Sequence, residues 1–348
     1  MPDCHPSVSN SAACAVSGRL DAVFHSPSRS FRVLAQTNVT WLLEPRDCTA
    51  RLVLLVLSAP PNTEQRARLR RELAGQSGIR LVFLLGLVPD PAQQRRLAAE
   101  HSSNGDILQA SVTESYSTLS YKTMSGFVWS NVACNRDNTK YIAKTDDDVT
   151  LNTKELLAAL DNKYGVEPPD DVMDCPAVVR NLRPLTATHN GTIMAKFFLS
   201  RAELGRRVYP DLCFGWLYVT TPRVGLELAE LAATAGPELA ARRDRDDYFV
   251  TGFLRERLPW VRLGQLGGGA GLWPQLWDSL LSCTWLGVTS NVFFNKFVLS
   301  KGSGGVSYVQ GWRLYGCVVW EFYIMGALEF AAPATLQQHT ARLGLCLR

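Results

Sequence analysis

Three consecutive aspartates, Asp146, Asp147 and Asp148, follow an apolar run in the segment YIAKTDDDVTLN, residues 141–152. Like charges repel one another, and a divalent cation would relieve that repulsion. If the run is a strand, Asp146 and Asp148 project to one side of it. Such a pair suits Mg²⁺ or Mn²⁺, which prefer oxygen ligands and can share them with phosphate oxygens. The alternative is a solvated acidic turn that caps the next helix, with Asp148 or Thr150 near its start.

A second acidic pair, Asp246 and Asp247, precedes an apolar stretch within RRDRDDYFVTGFLRERL, residues 242–258. A carboxylate close to a metal-bound phosphate could act as a general base and activate an acceptor hydroxyl. The alternative is again a helix N-cap, because the helix dipole favours aspartate in the first turn. The spacing of the residues leaves both interpretations open.

An alternation of apolar runs and helical patterns surrounds the first cluster. Buried strands are predicted at four apolar segments, residues 51–60, 79–88, 105–111 and 140–148. Helices are predicted over residues 62–75, 90–103, 114–134 and 153–165. This alternation predicts an α/β domain with a parallel sheet whose two faces are covered by helices. Ligands of such sheets bind beyond the carboxyl ends of the strands, where the three aspartates lie.

The composition indicates a globular protein with three regions. Of its 348 residues, 46% are hydrophobic and 20% are charged, and the net charge is only +4. A single basic segment, residues 64–73, does not indicate a nucleic-acid partner. Residues 1–46 are predicted to be a loose leader, and residues 47–262 the main domain. From residue 263 a low-charge segment of uncertain assignment continues to residue 348.

The nine cysteines contain no C-x-x-C pair, so a zinc cluster is not expected. Scattered cysteines suit either a reducing cytosol or a few lumenal disulfides. The N-x-S/T sequons at Asn38 and Asn190 fit a secretory route. No window contains the ~20 uninterrupted apolar residues of a membrane span. We therefore expect that any membrane anchor lies outside this chain.

Six stretches occur in order between about residues 48 and 262: LSAPPNTEQRARLRREL, LVFLLG, EHSSNGDILQASVTESYSTLSYKT, WSNVAC with KYIAKTDDDVTLN, KFFLSRAELGRRVYPDLCFGWLYVTT, and DDYFVTG. Together they resemble the motifs of the β-1,3-galactosyltransferase family. Members of this family add galactose, N-acetylglucosamine or N-acetylgalactosamine in β-1,3 linkage. The family resemblance implies a GT-A fold, which is a nucleotide-sugar-binding α/β fold with a mixed, mostly parallel sheet flanked by helices.

The resemblance also implies roles for individual residues. A UDP-sugar would be the donor and a glycan the acceptor, with Mn²⁺ (or Mg²⁺) held by Asp148 and assisted by Asp146. Asp247 would be the base in a single displacement that inverts the anomeric centre. Five residues are expected at the donor pocket: Arg66, Arg70, Lys144, Asp146 and Asp147. For the three basic residues, a structural salt bridge is the alternative.

The family pattern G-x-G-Y is Gly215-Trp216-Leu217-Tyr218 here, so a leucine replaces the second glycine. Cysteines 48, 134 and 213 fall near the family's cysteine positions, which implies one or two lumenal disulfides, with buried thiols as the alternative. The expected location is the lumenal side of the Golgi membrane, in a type II arrangement. Two other functions stay open: an inactive family member that binds nucleotide or glycan, and a metal-dependent phosphohydrolase.

Overall fold

The structure is a computed structural model that describes residues 30–33, 37–46, 48–135, 137–176, 178–184, 201–213, 215–236, 245–266, 296–298, 300–302 and 305–307. The chain divides into two compact units. The first comprises the residues up to Asp147 together with 164–175 and 213–264. The second comprises residues 148–163, 176–212 and those from 265 onward. Among the described residues, no helix combines the length and the apolar character needed to cross a membrane.

Fifteen strands and six α-helices are assigned within these ranges. The strands are β1 (Ser30–Val33), β2 (Thr37–Leu43), β3 (Leu52–Leu57), β4 (Ile79–Leu87), β5 (Ile107–Thr113), β6 (Tyr141–Asp146), β7 (Val149–Leu151), β8 (Val172–Cys175), β9 (Val178–Val179), β10 (Leu212–Cys213), β11 (Leu217–Thr220), β12 (Arg262–Gln265), β13 (Lys296–Val298), β14 (Ser300–Gly302) and β15 (Gly305–Ser307). The helices are α1 (Thr63–Leu73), α2 (Pro91–Asn104), α3 (Leu119–Ala133), α4 (Thr153–Tyr164), α5 (Arg201–Leu204) and α6 (Pro222–Ala233). A π-helical segment spans Tyr248–Leu254, and 3-10 turns span Tyr116–Thr118 and Arg255–Arg257.

The first unit is built on a nine-stranded sheet with the order β1-β2-β5-β4-β3-β6-β11-β8-β12. The four central strands, β5, β4, β3 and β6, are parallel to one another. On one side β2 joins β5 in the antiparallel sense, and on the other β11 lies antiparallel to both β6 and β8. The predicted α/β class and mixed sheet are confirmed, with the parallel pairing concentrated in the centre.

Helices cover both faces of this sheet. On one face α3 packs against β3 and β4, so closely that a Cβ atom at Gly126 would lie 2.8 Å from Leu55 Cδ1 and 3.1 Å from Leu84 Cδ1. Helix α6 packs beside α3. Phe83 precedes Leu84 and therefore points to the opposite face, where the Arg70 guanidinium of α1 lies 4.9 Å from its ring centroid.

Local sequence explains where the elements begin and end. Strand β3 reads LVLLVL and is buried at every position, as expected for a strand covered on both faces. Helix α2 begins after Asp90, whose carboxylate accepts hydrogen bonds from the backbone N–H groups of Ala92 and Gln93. The helix ends at Gly105, which takes the left-handed conformation (φ 66°) that glycine adopts without a steric cost.

The second unit contains shorter elements. In it β7 pairs in parallel with β13, and β14 and β15 form an antiparallel pair. The side chain of Asn152 accepts a hydrogen bond from the backbone N–H of Glu155 and so caps the first turn of α4.

The four central strands and the four helices predicted from the first half of the sequence are all present. Strands β1 and β2 differ from expectation, since they lie in residues 1–46, which were predicted to be a loose leader. The segment TNVTWLL forms a partly buried strand next to the edge strand β1, which the Ser/Pro/Asn-rich composition obscured. The predicted segment 263–348 lies mostly outside the described residues.

Candidate active site

The acidic run begins where the neighbouring parallel strands β3 and β6 end. Leu57, the last residue of β3, is in register with Asp146, the last residue of β6, and the Asp147 N–H donates to the Leu57 carbonyl at 3.0 Å. The Asp146 side chain is 31% exposed. The run therefore lies at the carboxyl edge of the parallel strands, as the sequence predicted.

Asp147 faces the protein, in contrast to the prediction that it binds a donor. It is 8% exposed, and its Oδ2 accepts hydrogen bonds from Ser58 Oγ (2.7 Å) and Asn62 Nδ2 (2.9 Å). Both donors lie in the turn between β3 and α1, so the carboxylate fastens the end of β6 to that turn. The helix after the aspartates is capped by Asn152. This contact argues against the alternative in which the acidic run caps that helix.

Arg66 makes a structural salt bridge, which corrects its expected place at the donor pocket. Its side chain is fully buried, and it contacts both carboxylate oxygens of Glu100 at 2.8 and 2.6 Å. The remaining guanidinium donors reach Ser58 Oγ, the carbonyls of residues 59 and 60, and the Thr63 hydroxyl. With its donors used in this way, Arg66 holds the β3–α1 turn to α2.

Arg70, which was also expected at the donor pocket, makes structural salt bridges as well. It pairs with both oxygens of Asp106 at 2.7 and 2.8 Å and with Glu100 at 2.8 Å. Burial alone would raise the pKa of Glu100, but the hydrogen bonds and charges of Arg66 and Arg70 outweigh it and lower that pKa below its ordinary value. Both arginines therefore form the salt bridges that the sequence left open as the alternative.

Lys144 also has its ammonium group inside the protein, in contrast to its predicted contact with the donor. The side chain is 2% exposed, and Nζ lies 3.0 Å from Asp146 Oδ1, 2.8 Å from the Gly215 carbonyl and 3.4 Å from Asp246 Oδ2. Burial alone would lower the pKa of Lys144, but Asp146 and Asp246 outweigh it and raise the pKa above its ordinary value. The group is a permanent cation at the centre of the site.

The second acidic pair, distant in sequence, reaches the same place. Asp246 is 5% exposed and contacts the Lys144 ammonium. Asp247 is partly exposed, and its two oxygens accept hydrogen bonds from the backbone N–H groups of Tyr248 (3.0 Å) and Gly215 (3.2 Å). Asp247 thus caps the π-helical segment, as one interpretation of the sequence held, and also faces the loop at Gly215.

The environment of the pair changes its protonation. Burial raises the pKa of Asp247 to about 6; the Lys144 cation opposes the rise, and Asp246 adds to it. Burial also raises the pKa of Asp246, again against the effect of Lys144. An accessible carboxylate with a pKa near neutrality is suited to accept a proton during a reaction.

The loop at Gly215 contributes groups that sequence reasoning did not identify. A Cβ atom at Gly215 would lie 3.3 Å from the Cβ of Asp247, so a glycine permits this close approach. Thr251 fixes the same region, since its hydroxyl donates to the Asp247 carbonyl at 2.7 Å and accepts from the Cys213 N–H at 2.9 Å. The first glycine of the G-x-G-Y pattern was the sequence signal that could have identified this loop.

The leucine that replaces the second glycine lies away from the acidic groups. In the antiparallel register Leu217 pairs with Thr145, and Tyr218 pairs with Lys144. Because successive strand residues point to opposite faces, Leu217 lies on the face opposite Lys144. It is fully buried in the core there. The substitution therefore leaves the acidic site open.

Two disulfides brace the first unit, Cys48–Cys134 and Cys175–Cys213. They confirm the expected disulfides, and Cys175 is the partner that the sequence did not identify. The second disulfide ends two residues before Gly215 and so holds the loop that contacts Asp247.

The chemistry of the donor set fits a hard divalent cation. Asp146 has a partly exposed carboxylate at the sheet edge, and the sequence has a second carboxylate, Asp148, two residues later. Within the described ranges, no group of three or more acidic, histidine or cysteine side chains is arranged to hold a metal alone. Two carboxylates would leave coordination positions of a divalent cation open to water and phosphate oxygens.

Comparisons with known proteins indicate the family of this chain. Residues 64–258, more than half of the chain, match the model of the Galactosyltransferase family. Beta-1,3-galactosyltransferase 4 of Rattus norvegicus is 40% identical over 120 residues, covering 33% of this chain and 31% of the relative. N-acetyllactosaminide beta-1,3-N-acetylglucosaminyltransferase 4 of Mus musculus is 30% identical over 191 residues, covering 52% and 51%.

A third relative is the lactosylceramide 1,3-N-acetyl-beta-D-glucosaminyltransferase of Homo sapiens, 27% identical over 218 residues that cover 58% of this chain and 54% of the relative. The matches thus span about a third to a half of these curated relatives. The nine-stranded mixed sheet with helices on both faces is consistent with the GT-A-like fold that the sequence motifs implied. The family model and the ordered motifs together establish that this chain belongs to the galactosyltransferase family of β-1,3-glycosyltransferases.

Proposed function

We propose that the protein is an inverting β-1,3-glycosyltransferase that moves galactose or an N-acetylhexosamine from a UDP-sugar to a hydroxyl of a glycan acceptor. One observation carries the proposal. The partly exposed Asp146 carboxylate lies 3.0 Å from the Lys144 ammonium, and Asp247, with its pKa raised to about 6, meets the loop whose carbonyl binds the same ammonium. The two carboxylates suit the donor side and the acceptor side of one transfer reaction.

The donor side would use a metal ion. Asp148 and Asp146 would hold Mn²⁺ (or Mg²⁺), which would neutralise the negative charge on the diphosphate of the leaving UDP. The D-x-D spacing and the partly exposed carboxylate of Asp146 support this assignment. Asp147 stays outside it, because Ser58 and Asn62 occupy its Oδ2.

The acceptor side would use Asp247 as the general base. Above a pH of about 6 its carboxylate is ionised and can take the proton from the acceptor hydroxyl. The oxygen of that hydroxyl forms a bond to the anomeric carbon as the bond from that carbon to the diphosphate breaks, and UDP leaves with the electron pair. This single displacement converts an α-linked donor into a β-linked product.

The names of the relatives support the substrate classes. They include transferases of galactose and of N-acetylglucosamine, in one case to lactosylceramide. A glycan on a glycoprotein or a glycolipid is therefore the acceptor class that we propose for this chain.

We also propose that the domain works in the lumen of the Golgi, attached to its membrane in a type II arrangement. Two disulfides suit an oxidising compartment. Asn38, the asparagine of one sequon, is exposed on β2 and is accessible to a glycan.

The test is a donor screen on purified protein that measures free UDP with and without Mn²⁺, over galactose, N-acetylglucosamine and N-acetylgalactosamine donors and a panel of glycan acceptors. Asp148→Ala is expected to abolish metal-dependent UDP binding, whereas Asp247→Asn is expected to keep UDP binding and stop transfer. Asp137→Asn, which removes a charge from an exposed loop, is the matched control.

Binding of UDP without transfer by the unchanged protein over the whole panel would support the inactive-member alternative. Release of phosphate from simple esters would support the phosphohydrolase. Loss of UDP binding in Asp247→Asn would show that the division of roles between the two acidic clusters is wrong.

A further inference from the structure

The Lys144 side chain connects three segments of the first unit. Its ammonium lies 3.0 Å from Asp146 at the end of β6, 2.8 Å from the Gly215 carbonyl in the loop before β11, and 3.4 Å from Asp246 at the start of the π-helical segment. The Tyr218 ring centroid is 5.9 Å away, within the range of a cation–π contact. An ammonium has three hydrogen-bond donors, and protein groups surround this one.

A second contact continues this connection to the proposed base. The residue whose carbonyl binds Lys144, Gly215, donates its own N–H to Asp247 Oδ2 at 3.2 Å. The loop also lies against Asp247, since a Cβ atom at Gly215 would come within 3.3 Å of the Asp247 Cβ. A continuous path of contacts thus runs from Asp146 through Lys144 and Gly215 to Asp247.

We propose that Lys144 is a positioning residue for the transfer reaction: by binding Asp146, Asp246 and the Gly215 carbonyl, it fixes the loop at Gly215 and sets the position of Asp247 relative to Asp146. This inference rests on the proposed function for its kinetic consequence. Its structural consequence, the holding of the Gly215 loop, is independent of any activity.

The physical reason is the precision that a displacement reaction requires. A misplacement of about 1 Å between reacting groups can reduce a rate by about 10²-fold. The N–H of Gly215 is one of two backbone donors to the Asp247 carboxylate, so movement of the loop moves or reorients the base. A buried lysine with charged partners from separate segments limits that movement.

The experiment compares Lys144→Met, which keeps most of the stem and removes the charge, with Lys140→Met. Lys140 lies just before β6 and pairs with the largely exposed Glu167, so the control removes the same charge outside the site. Lys144→Met is expected to lower kcat by about 10²-fold while KM for the UDP-sugar changes less than about threefold. A large rise in KM with kcat unchanged would mean that Lys144 binds the donor directly and would overturn the positioning role.

Amide hydrogen exchange gives a readout that needs no substrate. Exchange of the Gly215 amide is expected to be at least about tenfold faster in Lys144→Met than in the unchanged protein, and unchanged in Lys140→Met. Equal protection of Gly215 in all three proteins would overturn the inference even if kcat fell. An unchanged protein that transfers no sugar contradicts the proposed function, and the exchange result still decides the positioning role.

Lys144→Met leaves the buried Asp246 carboxylate without its cation, which can prevent folding. The double variant Lys144→Met/Asp246→Asn removes that charge as well, and thermal unfolding checks that it folds. Faster Gly215 exchange and a reduced kcat in the double variant support the role of Lys144. Gly215 protection and kcat equal to those of the unchanged protein would refute it.

Discussion

Replacing the proposed base should make the protein more stable at neutral pH as it removes activity. Asp247 is only partly exposed, and the desolvation of its carboxylate by the surrounding protein raises its pKa from 3.8 to about 6 in the folded state. Below pH 3.8 the carboxyl is protonated in both the folded and the unfolded state, so it makes no difference to stability. Between these pH values the folded state binds more protons than the unfolded state, and the free energy of unfolding falls as pH rises.

The size of the effect follows from the two pKa values. About two pKa units correspond to about 3 kcal/mol, which the ionised carboxylate costs the folded state above pH 6. Asp247→Asn abolishes this cost. Asparagine has only one acceptor oxygen, so either the Gly215 N–H or the Tyr248 N–H loses its hydrogen bond. This loss lowers the free energy of unfolding by about 1 kcal/mol. The net expectation is a variant more stable by about 1–2 kcal/mol at pH 7.5.

Thermal unfolding with EDTA and without nucleotide measures this difference. We expect Tm of Asp247→Asn to exceed that of the unchanged protein by about 2–8 °C at pH 7.5, and the gap to close near pH 4. Asp137→Asn, at an exposed position, controls for the loss of a negative charge. A variant that is no more stable at pH 7.5, or whose advantage is the same at both pH values, would refute the claim that burial strains this carboxylate.

Three further variants test the surroundings of the site. Cys213→Ser opens the disulfide to Cys175, which closes a 38-residue separation, and is expected to cost about 4 kcal/mol in chemical denaturation; an unchanged midpoint would contradict the bracing role. Gly126→Ala places a Cβ atom 2.8 Å from Leu55 Cδ1 and should lower the free energy of unfolding by about 1–3 kcal/mol, whereas a neutral effect would show that α3 can shift. Arg66→Met leaves the nearly buried Glu100 with one fewer cation and should cost about 3–5 kcal/mol; retained stability would mean that Arg70 alone is a sufficient partner.

Local sequence patterns were sufficient for the central sheet and its helices. Continuous apolar runs such as LVLLVL specify strands buried on both faces, and the Asp90 cap and Gly105 define α2 at both ends. The location of the acidic run at the carboxyl edge followed from the parallel order of β3 and β6. These features depend on neighbours in the sequence and on general rules of parallel sheets.

The roles of the basic residues and of Asp147 could not be predicted in this way. Whether Arg66 faces a ligand or Glu100 depends on how α1 and α2 pack, and the two residues are 34 positions apart. Lys144 likewise meets Asp246 and the Gly215 carbonyl only in the folded chain, where β11, which follows Gly215, pairs with β6. Residue type indicated which side chains carry charge, while tertiary packing decided which partner each charge received.

The distance along the chain between Lys144 and the acidic pair has a consequence during synthesis. At ~5–20 residues per second, Asp246 leaves the ribosome roughly 5–20 seconds after Lys144, because about 100 residues separate them. A nascent chain can form β3, β4, β5 and β6 in that interval. Lys144 then stays exposed to solvent until Asp246 is synthesised and completes its burial. Premature termination anywhere in that window would yield a chain that has the central strands but lacks the carboxylate that completes the burial of Lys144.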